Sequence, residues 1–101
     1  MASRPKQLDP IPPGEILMEE FIRPLGLSIN ALARALAVPA NRVSAIVHGS
    51  RAISADTALR LGKYFGTSPE IWLDLQSDYE LRLARRTVWK RIEPRIRARV
   101  A

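Results

Sequence analysis

A sharp corner in the middle of the chain constrains its fold more than any other feature. Before the corner, apolar residues recur at the spacing of one buried helical face, namely Ile29, Leu32, Ala33 and Leu36. Ser28 stands where an N-cap is expected, because its hydroxyl can accept a hydrogen bond from a free backbone N–H. Val38-Pro39 then predicts a helix end, since proline disfavours helical geometry in the residue before it and suits the first turn of a new helix.

The helix after the corner has an outer face of small polar residues. Its apolar residues cluster on one side, and these are Val43, Ile46 and Val47. The other side carries Asn41, Ser44, Ala45 and His48, with Arg42 on the flank. Short amides, hydroxyls and methyl groups suit a helix that lies close against another surface, and the major groove of DNA admits such a helix. The pair therefore indicates a helix-turn-helix, although an ordinary helical hairpin has the same periodicity.

Charge is distributed along the chain in blocks, with a formal net charge of +6. Residues 34–63, which contain the proposed helix-turn-helix, carry five bases and one acid. Residues 64–81 carry four acids and no base, and residues 82–101 carry eight bases and one acid. Basic blocks favour a polyanionic partner such as nucleic acid, whereas the alternative for the last block is a solvated, partly disordered end.

Length and composition exclude several classes of protein. A chain of 101 residues predicts one domain, and the absence of cysteine excludes a disulfide framework and a thiolate zinc site. The one histidine, His48, has no accompanying ligands, so we expect no metal and no cofactor. No glycine-rich phosphate loop and no nucleophile-base set occur, which predicts a protein that is not an enzyme and has no catalytic residue. The chain has no apolar signal region and no stretch of membrane-spanning length, so we expect a cytoplasmic protein without a membrane partner.

Helices are predicted on both sides of the central pair. Prolines in the first thirteen residues indicate an extended or disordered arm, to which we assign residues 1–12. A first helix is expected from Gly14 until Pro24 ends it, with three residues facing inward: Leu17, Phe21 and Ile22. A fourth helix is expected over residues 55–65, capped by Ser54 and with a core stripe of Ala58, Leu59, Gly62 and Phe65.

A fifth helix starts at Ser68-Pro69, which combines an N-cap with a proline at the first helical position. We expect it to run past Arg86 until Pro94 interrupts it. Its inward residues are Trp72, Leu75, Tyr79 and Leu83, and their helical spacing favours core or dimer packing over base stacking. The expected fold is all-α, with five helices of which the C-terminal one is extended.

Four stretches of this chain resemble one known family. They are PGEIL at 13–17, PLGLS at 24–28, AVPANRVSAIVHGSRAISADTALRLGKYFGTSPEIW at 37–72 and LDLQSDYEL at 73–81. Together they are similar to the HigA/VapI-type antitoxins, a branch of the lambda-repressor-like (Xre) helix-turn-helix superfamily, and the combination of HG-R-IS with TALRL and GTSPE-WL is specific to it. The resemblance implies a lambda-repressor-like helix-turn-helix domain over residues 13–81 and leaves residues 82–101 as a basic C-terminal extension.

The same resemblance implies a dimeric repressor of its own toxin–antitoxin operon. It also implies that the protein neutralises a HigB/RelE-like toxin, a small ribosome-dependent mRNA endonuclease. One recognition helix reads too few base pairs for operator-level specificity, so we expect a homodimer on a palindromic operator in double-stranded DNA, with helix 5 as the interface. Two alternatives stay open: a stand-alone repressor without a toxin, and a basic protein that binds RNA or a membrane surface through its tail.

The recognition helix and its surroundings supply the predicted DNA contacts. Asn41 and Arg42 begin that helix and are expected to reach base edges, since asparagine suits adenine and arginine suits guanine. Family members often carry a glutamine where this chain has Ile29, which leaves its neighbours as sources of a phosphate contact. Arg51 and Lys63 are candidates for phosphate contacts or ordinary surface cations. The full predicted set is Ser28, Asn30, Ala40, Asn41, Arg42, Ser44, Ala45, His48, Arg51 and Lys63.

A RelE-like toxin must bind ribosomal RNA, so it is expected to be basic. The surface of this chain that contacts such a toxin is therefore expected to be acidic or neutral. The chain has acids outside the helix-turn-helix that are candidates for this contact: Glu15, Glu19, Glu20, Glu70, Asp74, Asp78 and Glu80. Asp78 and Arg82 are four residues apart on one helix and predict a surface ion pair. The basic tail, in contrast, is expected to repel such a toxin and to attract phosphate.

Overall fold

Six α-helices follow one another along residues 9–100, the part of the chain that the computed structural model describes. They are α1 Pro13–Leu17, α2 Ile29–Leu36, α3 Ala40–Val47, α4 Ala55–Phe65, α5 Pro69–Arg86 and α6 Val88–Ile92. The first continues into a π-helical turn, Met18–Ile22, and the last into a 3-10 turn, Glu93–Arg95. No strand occurs within these residues, which confirms the predicted all-α fold class. Most of the predicted arm, residues 1–8, lies outside the described part.

Three serines start helices where the sequence predicted them. The hydroxyls of Ser28, Ser54 and Ser68 accept hydrogen bonds of 3.0, 3.3 and 3.2 Å from the backbone N–H three residues later. Each bond satisfies an N–H that the first helical turn leaves without a partner, and such a cap stabilises a helix by about 1 kcal/mol. The starts of α2, α4 and α5 are therefore determined locally.

A left-handed residue makes the corner between α2 and α3. The helix ends at Leu36, and Ala37 has φ 59° and ψ 45°, a conformation that costs a residue with a Cβ roughly 1–2 kcal/mol. The N–H of Val38 then bonds to the carbonyl oxygen of Ala33 at 3.0 Å. The chain thus turns one residue before the predicted Val38-Pro39 stop, and Pro39 becomes the N-cap residue of α3.

An aromatic cluster joins the first helical segment to α4 and α5. The ring of Phe21 lies 4.8 Å from that of Phe65 and 5.1 Å from that of Trp72, measured between centroids. Trp72 is only 1% exposed, and its indole N–H donates to the hydroxyl of Thr67 at 2.9 Å, so its one polar atom is satisfied. The predicted inward positions Leu17, Ile22 and Trp72 are confirmed, since all three are buried.

Two predicted core positions face solvent instead. Leu59 is 61% exposed, and Leu61 takes its place in the core because the buried stripe of α4 is rotated relative to the predicted one. Leu83 is 40% exposed, and it lies in the last part of α5, where residues 80–86 are exposed except for Ala84. Leu75 and Tyr79 are half-buried.

The fifth helix ends at Arg86, whereas the sequence predicted that it continues. Thr87 has φ −117° and ψ −89°, outside the helical region. Its hydroxyl donates to the carbonyl oxygen of Leu83 at 2.8 Å. A threonine that bonds back to the preceding turn competes with the regular backbone ladder, and here the chain bends before α6 starts.

Candidate nucleic-acid interface

The apolar face of α3 fixes this helix on the domain. Val43 and Ile46 are buried, as the sequence predicted. On the same side, α1 packs so closely against α3 that a Cβ built at Gly14 would overlap the carbonyl oxygen of Ile46. With one face held by the core and by α1, the opposite face of α3 is directed outward.

A shallow groove runs between the start of α2 and the outer face of α3. We call it the α3 groove, and its lining residues are Ile29, Asn30, Ala40, Asn41, Ser44, Ala45, His48 and Ser50. Six of them belong to the predicted DNA contacts: Asn30, Ala40, Asn41, Ser44, Ala45 and His48. The lining consists of amides, hydroxyls, an imidazole and apolar groups without a carboxylate. Such groups suit hydrogen bonds and methyl contacts to base edges.

His48 is held in one orientation by the backbone of its own helix. Its Nδ1 lies 2.7 Å from the carbonyl oxygen of Ser44 and 3.4 Å from the hydroxyl of the same residue. Because a carbonyl oxygen only accepts, Nδ1 is assigned the proton and donates to it. The remaining ring nitrogen, Nε2, is therefore the atom of His48 that can bond to a ligand.

Ser50 also lines the groove, although it is not among the predicted contacts. Its backbone N–H donates to the carbonyl oxygen of Ala45 at 2.9 Å, and its hydroxyl donates to the same oxygen at 3.2 Å. Gly49, with φ 81°, permits this return of the chain over the end of α3. Gly49 is the signal in the sequence, because the residue after a helix-ending glycine commonly returns its backbone N–H to the last helical turn.

The other predicted contacts lie elsewhere or already have partners. The hydroxyl of Ser28 caps α2, as described above, and Arg51 is exposed in the segment between α3 and α4. Lys63 lies on α4 beside Leu36 and Tyr64, in a separate depression that shares no residue with the α3 groove. Arg42 lies in the first turn of α3, but its guanidinium turns toward Asp56 of α4 and does not line the groove.

A carboxylate on α4 holds Arg42. The Nη1 atom of Arg42 lies 3.0 Å from Oδ2 of Asp56, and the arginine side chain is 25% exposed. The same Oδ2 accepts a second hydrogen bond of 3.0 Å from Nε of Arg60. Nη1 of Arg60 donates in turn to the carbonyl oxygens of Leu36 and Ala37, at 2.8 and 3.2 Å. The hydrogen bond from Arg60, together with the weaker one from Arg42, holds the pKa of Asp56 below its ordinary value of 3.8.

The acids predicted to bind a toxin are all exposed, but several have partners within the chain. Glu19 pairs with Arg23 at 3.0 Å, and the predicted pair of Asp78 with Arg82 is confirmed at 2.8 Å. Glu80 accepts a hydrogen bond of 2.8 Å from the side-chain amide of Gln76. The acids thus form solvated surfaces on α1, the following π-helical turn and α5, outside the α3 groove.

Large apolar side chains are also exposed on the last two helices. On α5 and α6 they are Ile71, Leu81, Leu83, Val88 and Trp89.

Within the described residues, no cluster of three or more His, Cys, Asp or Glu side chains could hold a metal ion. In the same part of the chain, no helix is both long and apolar enough to cross a membrane.

The helix-turn-helix family profile matches residues 18–72, which include α2, α3 and α4. The chain belongs to the helix-turn-helix family. Virulence-associated protein I of Dichelobacter nodosus is 50% identical to it over 78 residues, which make up 77% of this chain and 72% of the relative. The observed helices and these matches identify the member as a HigA/VapI-type protein, as the sequence motifs indicated.

Two solved structures resemble this helix-turn-helix protein over almost its whole length. An addiction module antidote protein of the HigA family from Coxiella burnetii has a TM-score of 0.85 and 50% identity, covering 91% of this chain and 100% of that one. The Pseudomonas aeruginosa antitoxin HigA, solved with the higBA promoter, has a TM-score of 0.86 and 49% identity, covering 90% and 99%. The fold and the family are therefore those of HigA-type antitoxins.

Proposed function

We propose that this HigA-type antitoxin represses its own toxin–antitoxin operon by inserting α3 into the major groove of a palindromic operator, and that it neutralises a HigB/RelE-like toxin. One observation carries the DNA-binding part. Six residues of the predicted DNA-contacting set, among them two amides, a hydroxyl and an imidazole, line the α3 groove. The Pseudomonas relative, which was solved with its promoter, supports the same interpretation.

Within the groove, different side chains suit different parts of DNA. Asn41 lies exposed at the start of α3, where its amide can donate to and accept from one adenine edge. Ser44 and His48 follow along the same face and offer a hydroxyl and the Nε2 atom for a second base or a phosphate. Asn30 is exposed in the first turn of α2, which suits a phosphate contact that fixes the register without reading sequence.

A homodimer is the proposed assembly. One α3 reads only a few base pairs, whereas two copies related by a two-fold axis and spaced about 34 Å apart read a palindrome. Four exposed apolar residues near the end of α5 and on α6, Leu81, Leu83, Val88 and Trp89, support an interface at the C-terminal end, because covering them with a second copy removes apolar surface from water. Two of them, Leu83 and Trp89, lie on either side of the break at Thr87.

The toxin is proposed to bind outside the DNA-contacting surface. The exposed acids of α1 and α5 can face a basic partner, and their position outside the α3 groove lets one molecule hold DNA and toxin together. We retain residues 13–81 as the helix-turn-helix domain, with residues 1–12 as an arm and residues 82–101 as a basic extension. Because its operator is chromosomal or plasmid DNA, the protein is proposed to act in the cytoplasm.

Footprinting of the DNA upstream of the operon that contains the protein's reading frame tests this proposal. The wild-type chain should protect a palindrome, and Asn41→Ala should weaken that complex by roughly 1–3 kcal/mol while sparing non-specific binding. Ser77→Ala, at an exposed position of α5 outside the groove, is the control and should bind like the wild type. Unchanged affinity of Asn41→Ala would show that α3 is not the reading helix. Salt-sensitive binding without sequence preference would favour an RNA-binding role of the tail.

A further inference from the structure

The guanidinium of Arg42 is only partly available for a base contact. Its Nε atom is buried and has no hydrogen-bond partner, and its Nη1 is bonded to Asp56. A bidentate contact to guanine needs two neighbouring N–H groups of the guanidinium at once. The buried Nε excludes the Nε–Nη2 edge from such a contact, and the carboxylate already holds one N–H of Nη1. A bidentate base contact must therefore use the remaining N–H groups of Nη1 and Nη2 beside the bound carboxylate, or break the pair with Asp56.

Asp56 is placed to act on both helices of the helix-turn-helix. It lies in the first turn of α4. Ala58, in the same helix, is completely buried, so the carboxylate projects from a firmly packed element. On one side it binds Arg42 of α3. On the other side it binds Arg60, which donates to the last carbonyl oxygens of α2 at the left-handed corner. One carboxylate oxygen therefore connects the end of α2 to the start of α3.

We propose that Asp56 is a positioning residue for operator recognition: it fixes the angle between α2 and α3 through Arg42 and Arg60, and Arg42 keeps this contact on DNA instead of reading a base. The inference rests on the proposed reading of the operator by α3. Base contacts require α3 to enter the groove at a defined angle, so a loosened corner weakens specific contacts while leaving phosphate attraction in place. The competing possibility is that Arg42 leaves Asp56 and binds guanine when DNA arrives.

The variant Asp56→Asn separates the two possibilities, because they predict opposite signs. If Asp56 positions the helices, the ratio of specific to non-specific affinity should fall at least about fivefold, a size typical of coupled neighbouring residues. Non-specific binding should stay equal or become slightly tighter, since one negative charge is removed. If the carboxylate instead competes with DNA for Arg42, its removal should tighten specific binding. A tighter specific complex or an unchanged ratio overturns the proposal.

The matched control is Asp9→Asn, because Asp9 also pairs with an arginine, Arg86, at 3.0 Å but lies outside the helix-turn-helix. It should change specific and non-specific affinities together and leave their ratio unaltered. Asp56→Glu keeps the negative charge, so its ratio of specific to non-specific affinity should be higher than that of Asp56→Asn. A purely steric role of the side chain would not give this result. Far-ultraviolet circular dichroism of each variant verifies that it is folded. Should Asp56→Asn fail to fold, Arg60→Gln is measured in its place with the same expected fall, because Arg60 is bonded to Asp56 but is not a candidate base reader.

A base-substitution series over one half-site identifies how Arg42 acts. If Arg42 is a positioning partner, Arg42→Gln should reduce discrimination at every contacted base pair. The double variant of Arg42→Gln with Asp56→Asn should then lose no more discrimination than the more affected single variant. Loss of discrimination at a single base pair would instead identify Arg42 as a base reader. Asn41→Ala, measured in parallel, keeps the two proposals apart. If it weakens operator binding while Asp56→Asn leaves the ratio unchanged, only the positioning role fails.

Discussion

The carboxylate of Asp56 makes folding stability sensitive to acid in a defined direction. Its pKa in the folded chain is lowered, chiefly by the hydrogen bond from Arg60. A lowered pKa means that the folded state binds the proton less well than the unfolded state. The stabilisation is therefore present above the ordinary value of 3.8 and disappears as the pH falls through the lower folded value.

We predict how the thermal unfolding of wild type and Asp56→Asn differs between pH 7 and pH 3. The wild type should melt at the higher temperature, and the gap should stay constant down to about pH 5. Below about pH 4 the gap should close, because a protonated acid no longer forms the two ion pairs. Circular dichroism melts at each pH measure this, and a gap that persists at pH 3 would assign the effect to packing instead of charge.

Residues whose roles are local were predictable from the sequence, whereas residues whose roles depend on a distant partner were not. Ser28, Ser54 and Ser68 cap helices as predicted, because a cap bonds within its own turn. Arg42 is predicted to reach a base edge from its place near the start of α3, and that role stays a prediction, but its ion pair with Asp56 does not follow from the helical spacing. Its partner is fourteen residues away, on a helix whose rotation the periodicity does not determine.

The close packing of α3 against α1 depends on the absence of a side chain at Gly14. A Cβ at Gly14 would overlap the carbonyl oxygen of Ile46 and would stand 3.0 Å from the Cα of Val47. Both neighbours are backbone atoms of a packed helix, so they cannot move aside as the end of a flexible side chain would. An added methyl group must therefore push α3 away from α1.

We predict that Gly14→Ala lowers the free energy of unfolding by about 1–3 kcal/mol, the usual cost of overpacking. It should also reduce specific DNA affinity, since it displaces the reading helix. The matched control is Gly26→Ala, where a Cβ meets nothing within 4 Å but φ is 68°. That variant should lose about 1 kcal/mol of stability from backbone strain alone and keep its operator specificity. Equal DNA affinities of Gly14→Ala and wild type would contradict the role of this contact.

At the level of elements, the positions of helices were more predictable than their ends and rotations. All five expected helices are present, because apolar spacing, caps and prolines act over one or two turns. The core stripe of α4 was assigned to include Leu59, but the neighbouring helices select Leu61 instead. The break at Thr87 was missed since threonine is an ordinary helix residue until its hydroxyl finds a carbonyl partner.

Charge is segregated across the whole molecule, which suggests separate surfaces for DNA and toxin. We predict that deleting residues 87–101, with five bases and one acid, weakens DNA binding and flattens its dependence on salt. For every phosphate that the shortened chain no longer neutralises, the slope of log affinity against log salt should fall by about 0.9. Toxin neutralisation should remain largely intact, because the acids proposed to face the toxin lie before residue 81.

The deletion also removes Val88 and Trp89, two of the exposed apolar residues of the proposed dimer interface. A second variant therefore keeps these residues and replaces only the tail cations with glutamine: Lys90, Arg91, Arg95, Arg97 and Arg99. It should flatten the salt dependence like the deletion, and sedimentation should show that it assembles like the wild type. If tail removal abolishes toxin binding and leaves the salt slope unaltered, the two charged regions have been assigned the wrong way round.

The two tryptophans of this chain lie in opposite environments, so the intrinsic fluorescence of the protein can report two separate processes. Trp72 is enclosed beside Phe21, so its fluorescence should be blue-shifted and should move to the red only when the core opens. Trp89, on α6, is 40% exposed, so a soluble quencher can reach it until another molecule covers it. Unfolding and assembly can thus be followed separately in the same unlabelled sample, one by the colour of the emission and the other by its accessibility.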